Sequence, residues 1–307
     1  MLNRSIKNSS CFAILLALLF FSCGPTKKES TILSLKAVTG IKFIETRREF
    51  SNGLSFSEDG FQQVPEWTLC FLPGDSVKIY SPFEKKYIFY PVYYDHHDVV
   101  NFAREWLRIK HVSKDSLVLQ LLQVRSRKII SELSQVYMRF YSDNYIRNTL
   151  HTNPDSLRKP DHRDTLFVKS KVKRANIYSQ FPDSLFAARN AVQFKSLSSD
   201  ITVEKVNKSE DSSRISSAEY LYPEYMIVIN HAYKDFVSNF NAIVDAKGKI
   251  TVTSFAVLDK DFEAPRRRVL QGIADVYLQR FLKIKPGSTL GHAHATEIML
   301  HIKLIKG

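Results

Sequence analysis

Three residues near the C-terminus have types and spacing that suit a metal ion. His292, His294 and Glu297 form an H-x-H-x-x-E pattern ahead of the last predicted strand. On a strand the two histidines project from the same face, so both imidazoles could reach one ion. Glu297 lies an odd number of residues away and His301 lies further along, so the pattern supplies two ligands and leaves the third open. The alternative is a polar loop that leads into a strand.

The densest ionisable cluster is the run from Asp95 through His96 and His97 to Asp98. Asp95 and His97 are candidate metal ligands here, because zinc and related ions accept imidazole and carboxylate. Neighbouring residues on a strand point to opposite faces, which works against a shared ion. The alternatives are a polar turn or a helix that begins with Asp98 as its cap and runs over 99–106.

Several catalytic and nucleotide-binding motifs are missing from the sequence. It contains no G-x-G-x-x-G, no P-loop, no H-E-x-x-H and no G-x-S-x-G. The run Asp161-His162-Arg163-Asp164 could support acid–base chemistry, but a solvated loop with local ion pairs is the better explanation. We therefore expect no catalytic residue and no cofactor, and predict that the protein is not an enzyme.

The chain is basic: 307 residues carry 44 Lys+Arg and 31 Asp+Glu, a formal net charge of +13. Residues 125–174 hold twelve of the basic residues and five acids. We predict contact with an anionic surface, namely lipid head groups, lipopolysaccharide or an acidic protein. The candidate residues are Lys171, Lys173, Arg174, Arg266, Arg267 and Arg268. A solvated protein surface is the alternative.

The N-terminus predicts export. Arg4 and Lys7 precede the apolar run 11–21, which is long enough for a secretory signal and too short for a membrane-spanning helix. An exported location argues against a nucleic-acid partner. Cys11 lies within the predicted signal, and Cys23 is the predicted site of lipidation described in the next paragraph. Cys70 is then the one cysteine left, and it lies in an apolar stretch typical of a buried thiol.

The exit of this segment, Phe20-Phe21-Ser22-Cys23-Gly24, resembles the lipobox of bacterial lipoproteins. The resemblance implies cleavage before Cys23 and acylation of Cys23, including palmitate-type chains on its sulfur. Phe stands where the lipobox usually has Leu. Gly24 at the next position implies sorting to the outer membrane, and we expect the periplasmic face. Several acyl chains bind a bilayer much more firmly than one.

Alternating apolar residues predict many short strands after the tether. We predict a signal peptide (1–22), a lipidated tether (23–32), a β-rich domain (33–149), a basic irregular connection (150–206), a polar linker (207–219) and a C-terminal domain (220–307). The fold class is α+β, with an antiparallel barrel or sandwich before the smaller domain. The strand candidates include Leu54–Phe56, and Asp183–Val192 is a candidate short helix.

The C-terminal region has the predicted order strand, strand, helix, strand. Together with Tyr222-Pro223, Val244-Asp245, the hairpin turn at Gly248 and Lys285-Pro286-Gly287, it resembles the TonB C-terminal domain family. That family's domain binds extended peptides by adding a strand to its sheet. The resemblance implies a ββαβ fold and this binding mode. It does not imply energy transduction, because the chain shows no Pro-rich segment and an acyl anchor replaces the transducer's membrane helix.

These observations predict a non-catalytic envelope lipoprotein that binds a protein or peptide by strand addition, with an open edge in 220–307. One alternative is a lipocalin-like carrier, in which the aromatic strands line a cavity for a hydrophobic ligand. A second alternative is a metal-dependent envelope enzyme at one of the two histidine clusters.

Overall fold

A computed structural model of the chain describes residues 34–206, 217–257 and 259–307. The predicted signal peptide, Cys23, the tether and most of the predicted linker lie outside the described residues. Within these ranges the protein is a mixed α+β structure made mostly of strands. No helix in this part of the chain combines the length and apolar composition needed to cross a membrane.

The first half of the protein is a nine-stranded antiparallel sheet in the order β4-β3-β2-β1-β11-β8-β7-β6-β5. Its strands are β1 (Lys42–Phe50), β2 (Thr68–Leu72), β3 (Ser76–Ser81), β4 (Lys86–Pro91), β5 (Tyr93–Tyr94), β6 (Val99–Phe102), β7 (Glu105–Val112), β8 (Ser116–Leu122) and β11 (Val136–Ser142). A small hairpin of β9 (Val124–Arg125) and β10 (Lys128–Ile129) follows β8.

The sheet curls until its two edges meet. The chain passes from edge strand β4 to edge strand β5 through Val92 alone, and the Val92 N–H donates to the Asp75 carbonyl at 2.7 Å. The result is a nearly closed barrel, a geometry that protects sheet edges from other chains. The predicted barrel or sandwich is therefore a barrel-like sheet.

Alternation of side chains along the strands fills one end of this barrel, the end beside the 3₁₀ turn at Leu35–Val38, with apolar groups. Leu35 and Val38, in a 3₁₀ turn over Leu35–Val38, are buried beside β2 at this end. The fully buried inward-facing side chains are Phe43, Leu69, Phe71, Leu107, Leu117 and Phe140. Cys70 is a buried free thiol, as its apolar stretch predicts.

A helix connects the barrel to the second half of the protein. Helices α1 (Asp143–Asn148) and α2 (Pro154–Leu157) precede α3 (His162–Ile177). The connection predicted to be irregular over 150–206 thus contains a regular helix of 16 residues. Asp161 and Asp164 form a capping box at the start of α3. Only Val168 and Ala175 are buried among the apolar residues of this helix, so its apolar periodicity is too weak to predict it from the sequence.

Buried Asp164 attaches α3 to strand β1. Its carboxylate accepts from Ser55 N–H at 2.7 Å and pairs with the Arg47 guanidinium at 3.1 Å. Arg47 in turn pairs with Glu49 at 2.5 Å on the outer face of the barrel. Asp161 and Asp164 thus both pair with Arg47 and cap α3, so the run from Asp161 to Asp164 has a structural role.

The second half is built on a five-stranded sheet in the order β13-β14-β20-β15-β16. Its strands are β13 (Ile201–Lys205), β14 (Glu224–Ala232), β15 (Phe236–Val244), β16 (Ile250–Phe255) and β20 (Thr296–Lys306). Strand β14 is parallel to β20, and the other pairs are antiparallel. The shorter pairs are β12 (Gln193–Ser196) with β17 (Leu282–Lys285) and β18 (Ser288–Thr289) with β19 (His292–Ala293).

One helical segment packs against this sheet. After α4 (Ser217–Leu221) and a 3₁₀ turn at Lys260–Phe262, α5 (Glu263–Ile273) continues through a π turn (Ala274–Leu278) into α6 (Gln279–Phe281). Gly248 has the expected positive φ of 85°. The short strands β17, β18 and β19 lie between the helical segment and β20, and β13 and β14 join the same sheet, so the predicted ββαβ domain is not confirmed. Pairing of β13 with β14 means that the sheet draws strands from both sides of residues 207–219.

Two local predictions fail. Asp183–Val192 contains only a 3₁₀ turn, Pro182–Ser184, and Leu54–Phe56 contributes one isolated bridge between Phe56 and Gln62. Phe56 and Phe186 instead pack with Val168 of α3 in a small buried cluster. Their apolar character reflects this cluster between elements, which local periodicity does not reveal. The described residues from Ser34 onward belong to one compact unit.

Candidate functional site

The end of the barrel opposite the 3₁₀ turn at Leu35–Val38 is open. A cavity of about 360 Å³, here called the mouth cavity, lies among strands β1, β3, β4, β7, β8 and β11 and the segment that precedes β2. Its lining includes Arg48, Glu66, Trp67, Tyr90, Glu105 and Met138. The volume falls within the range of small-molecule sites, roughly 300–1,000 Å³.

A buried ion pair lies beside this cavity. The Arg48 guanidinium donates twice to the Glu45 carboxylate, from Nε at 2.7 Å and from Nη2 at 2.9 Å. Glu45 is fully buried and also accepts the backbone N–H groups of Glu66 and Trp67, both at 2.8 Å. Four donors therefore compensate the cost of burying this carboxylate.

A β-bulge explains how both charged side chains point into the barrel. Residues three apart on a regular strand face opposite sides. The register of β1 shifts between Glu45 and Arg47, so that Glu45 pairs with Phe140 and Arg48 pairs with Met138. Phe140 and Met138 are two apart and both face inward, and the extra residue in β1 puts Glu45 and Arg48 on that same inner face.

Glu105 is a further acidic group at the cavity, in addition to Glu45 and Glu66. It precedes Leu107 and Ile109 on the inner face of β7, and its side chain is half-buried. Burial raises the pKa of the Glu105 carboxyl above its ordinary value, and the Arg48 charge opposes that rise. No described residue donates a hydrogen bond to this carboxylate. A half-buried carboxylate with a perturbed pKa in a cavity is typical of a binding or catalytic site.

The mouth cavity combines these charges with aromatic surface. The Trp67 ring lies 6.0 Å from the Phe102 ring, centroid to centroid, on the inner side of the sheet. Glu45 already neutralises Arg48, so the Glu105 carboxylate leaves the cavity with an acidic excess. This arrangement can hold a cationic group between a carboxylate and an indole face.

In the H-x-H pattern, both ring nitrogens of His294 already have protein partners. His294 is fully buried, its Nε2 lies 3.1 Å from the Thr289 hydroxyl and its Nδ1 lies 3.1 Å from the Ala295 carbonyl. Burial lowers the pKa of His294, while the Ala295 carbonyl opposes this change. His292 lies on β19, which precedes β20, and Glu297 accepts from the Thr253 hydroxyl at 3.2 Å.

The other histidine cluster is an exposed turn. Asp95 pairs with His96 at 2.8 Å, His97 has a positive φ of 56°, and Asp98 lies 3.5 Å from Arg108. The helix alternative at 99–106 is wrong, because β6 and β7 occupy this range as a hairpin. Among the described residues, no group of three or more His, Cys, Asp or Glu side chains could hold a metal ion.

Two of the three helix arginines have structural partners. Arg266 stacks 4.6 Å from the Phe236 ring centroid, and Arg267 donates to the Val252 and Thr253 carbonyls at 3.0 and 2.9 Å. Arg268 is exposed. The side chain of Lys171 on α3 is only 16% exposed and pairs with Glu58, whereas Lys173 and Arg174 are exposed. The predicted anionic-surface residues thus do not form one free basic patch.

The expected open edge in 220–307 is covered on one side by a strand and on the other by side chains. Strand β13 pairs with β14. At the opposite edge, Gln271 of α5 accepts from Val252 N–H at 2.9 Å and donates to the Ile250 carbonyl at 3.0 Å. Together with Arg267 these contacts occupy the outward backbone groups of β16 that a peptide would need.

Strand β13 is the sheet edge that remains. Asn230 N–H donates to the Asp200 carbonyl and Val206 N–H to the Glu224 carbonyl, so even-numbered residues bond toward β14. The N–H and C=O groups of Val203 and Lys205 therefore point away from the sheet. No residue in 34–206, 217–257 or 259–307 bonds to them.

Neither a protein-family model nor a curated protein sequence matches this chain. The mouth cavity must therefore be interpreted from its own chemistry. Its charged residues, Glu45, Arg48 and Glu105, were not among the predicted site residues. The alternation of Glu105 with Leu107 and Ile109 could have placed Glu105 inside the barrel, whereas the bulge that turns Arg48 inward leaves no comparable pattern in the sequence.

Proposed function

We propose that this protein is a non-catalytic envelope lipoprotein whose barrel binds a small organic cation in the mouth cavity. The observation that carries the proposal is the Glu105 carboxylate, half-buried and without a hydrogen-bond donor among the described residues, beside an ion pair that is already neutral. A ligand ammonium group would supply the missing partner of Glu105. Charge-assisted hydrogen bonds of this kind are among the stronger ones in proteins.

The polar lining distinguishes this proposal from a carrier of hydrophobic ligands. Arg48, Glu66 and Glu105 line the cavity beside Trp67 and Tyr90. A purely apolar ligand would leave the Glu105 charge desolvated without compensation, at a cost of several kcal/mol for a buried ion. An aromatic amine meets both features, because its ring can pack on Trp67 while its ammonium reaches Glu105.

The emission of Trp67 tests this function. Phenethylamine is the probe and 2-phenylethanol is its neutral counterpart, both titrated into a Trp106→Phe variant so that Trp67 reports alone. We expect the amine to change the emission saturably, the alcohol to have little effect, and Glu105→Gln to abolish the amine response. Glu132→Gln is the matched control, since Glu132 is exposed and outside the cavity. Equal responses to amine and alcohol would contradict the proposal.

The envelope location is part of the same proposal and is supported by the lipobox-like sequence at Cys23. Acyl chains on Cys23 would tether the barrel to the outer membrane on its periplasmic face. Cells fed an alkyne-tagged palmitate should incorporate the tag into the wild-type protein and not into Cys23→Ser. Label on the Cys23→Ser variant would show that another residue is acylated. Absence of label from both chains would contradict a lipid anchor.

Strand addition is the second candidate function, and the outward backbone of β13 favours it. Its binding edge would be Ile201–Lys205 rather than a strand of the TonB-like region. Val203→Pro removes one outward N–H and leaves the bonds to β14 intact, because proline is tolerated at a sheet edge. A protein retained by the wild type from its own envelope should be lost from Val203→Pro. Retention by both chains would contradict binding at this edge.

A further inference from the structure

Large aromatic side chains are exposed along one outer side of the barrel. Phe83 is 66% exposed, Phe89 65% and Tyr93 63%, and Tyr80 and Tyr87 accompany them at 36% each. These five residues are here called the aromatic face. They come from β3, β4, β5 and the turn between β3 and β4, so the face covers the seam where the barrel edges meet.

Strand register makes the aromatic face continuous. Tyr80 pairs with Tyr87 and Lys78 pairs with Phe89, which places all four side chains on the outer side of the sheet. The Tyr80 and Tyr87 rings are 5.4 Å apart, centroid to centroid, and the Lys78 Nζ lies 5.3 Å from the Tyr87 centroid. Alternation sends the intervening Ile79 and Ile88 toward the mouth cavity. Tyr80 also reaches the lining of the mouth cavity, but Phe83, Tyr87, Phe89 and Tyr93 line neither the cavity nor the core.

The charge around the aromatic face is positive. Residues 76–93 contain Lys78, Lys85 and Lys86 and one acid, Glu84, which pairs with Lys86 at 2.6 Å, so the positive excess lies on Lys78 and Lys85. Aromatic side chains with a polar tip and lysines with long apolar stems are the residue types that settle at the interface between lipid head groups and acyl chains. Lysines near such a surface are attracted by the negative potential of anionic lipid.

The described chain begins near Tyr94, the neighbour of Tyr93 on β5, whose side chain points to the opposite face of that strand. Ser34 leads into the 3₁₀ turn at Leu35–Val38, and Lys36 Nζ lies 3.5 Å from an Asp75 carboxylate oxygen and 6.0 Å from the Tyr94 ring centroid. Tyr94 directly follows Tyr93. Residues 23–33 can span at most about 40 Å even if fully extended. An anchor at Cys23 would therefore keep this side of the barrel within reach of the bilayer.

We infer that the aromatic face is a docking surface for a lipid bilayer with anionic head groups. The inference uses the lipid anchor of the proposed function to bring the bilayer close, but the contact itself depends on the five aromatic residues and the lysines beside them. In the docked state Phe83, Phe89 and Tyr93 enter the head-group region, and the nearby lysines contact lipid phosphates.

Quenching by brominated lipid tests the contact. The full chain carries either Phe89→Trp or Val237→Trp and is bound to vesicles of equal parts phosphatidylcholine and phosphatidylglycerol, with or without bromine on the acyl chains. Val237 is a matched control, because it is 68% exposed on β15 of the other sheet. Emission of the parent chain, from Trp67 and Trp106, is subtracted. We expect a blue shift and bromine-dependent loss of emission for tryptophan at 89, and neither change at 237.

The outcomes separate docking from anchoring. Co-sedimentation of the Cys23 and Cys23→Ser chains reports on the anchor, independently of the quenching. Vesicle-bound protein without quenching at residue 89 would overturn the docking surface while leaving the anchor intact. Equal quenching at 89 and 237, or quenching that does not need phosphatidylglycerol, would also overturn it. A lipid-independent blue shift that grows with protein concentration would assign the face to a second copy of the chain instead.

Discussion

At the scale of single residues, Glu105 links the proposed site to stability. Its raised carboxyl pKa means that the folded protein holds the Glu105 proton to a higher pH than the unfolded chain does. Stability from this group is therefore present at low pH and is lost as pH rises through the folded pKa. Ionised Glu105 at neutral pH is a strained arrangement that a ligand cation would relieve.

Glu105→Gln should therefore stabilise the unliganded protein at neutral pH. We expect a higher Tm than the wild type at pH 7 and a difference that shrinks as pH falls below the folded pKa of Glu105. Thermal unfolding followed by circular dichroism at several pH values measures this. A Tm for Glu105→Gln at or below that of the wild type at pH 7 would show that the carboxylate has a favourable partner in the folded protein.

His294 predicts a pH dependence of opposite sign. Because burial lowers its pKa in the folded protein, the unfolded chain takes up a proton first as pH falls through about 6.5. Stability from His294 is thus present above that pH and is lost toward the folded pKa. We expect His294→Gln to flatten the slope of unfolding free energy between pH 7 and 5. His97→Gln, at an exposed turn, should keep the wild-type slope; two indistinguishable slopes would contradict the assignment.

At the level of secondary structure, the strands could be predicted from the sequence, whereas helix α3 and the bulge in β1 could not. Strands β7 and β8 carry the alternating apolar pattern from which a β-rich first half was predicted, and the glycine turn at 248 lies where expected. Helix α3 escaped prediction because its exposed side carries charges and its buried side contacts only a small cluster. The bulge in β1 escaped because it depends on its partner strand, so the ion pair of Glu45 and Arg48 could not be foreseen.

Helix α3 depends on Asp164 for its attachment to the barrel. The carboxylate is fully buried, caps the helix, pairs with Arg47 and accepts from Ser55. Asp164→Ala leaves the Arg47 charge without one of its partners, and breaking a buried pair costs about 3–5 kcal/mol. Urea unfolding should show a loss of this size. Asp155→Ala, which removes an exposed acid from α2, should change the unfolding free energy little; equal losses would contradict this role of Asp164.

At the scale of the whole molecule, long-range closure creates the candidate site. The α+β class and a β-rich first half follow from local patterns, but the meeting of β4 and β5 does not. That closure encloses the mouth cavity on one side and gathers the aromatic face on the other. A binding site inside and a docking surface outside thus come from the same strands, because their side chains alternate between the two faces.

Calorimetric titration of phenethylamine into the full chain across a pH series tests whether the barrel binds a cation at Glu105. We expect saturable one-site binding by the wild type and by Glu132→Gln. The affinity of both should fall as the pH is lowered, because Glu105 becomes protonated. Glu105→Gln should bind at least tenfold more weakly at neutral pH, a loss of about 1.4 kcal/mol. Unchanged affinity in Glu105→Gln, or wild-type binding that does not weaken toward low pH, would contradict a cation site in the barrel.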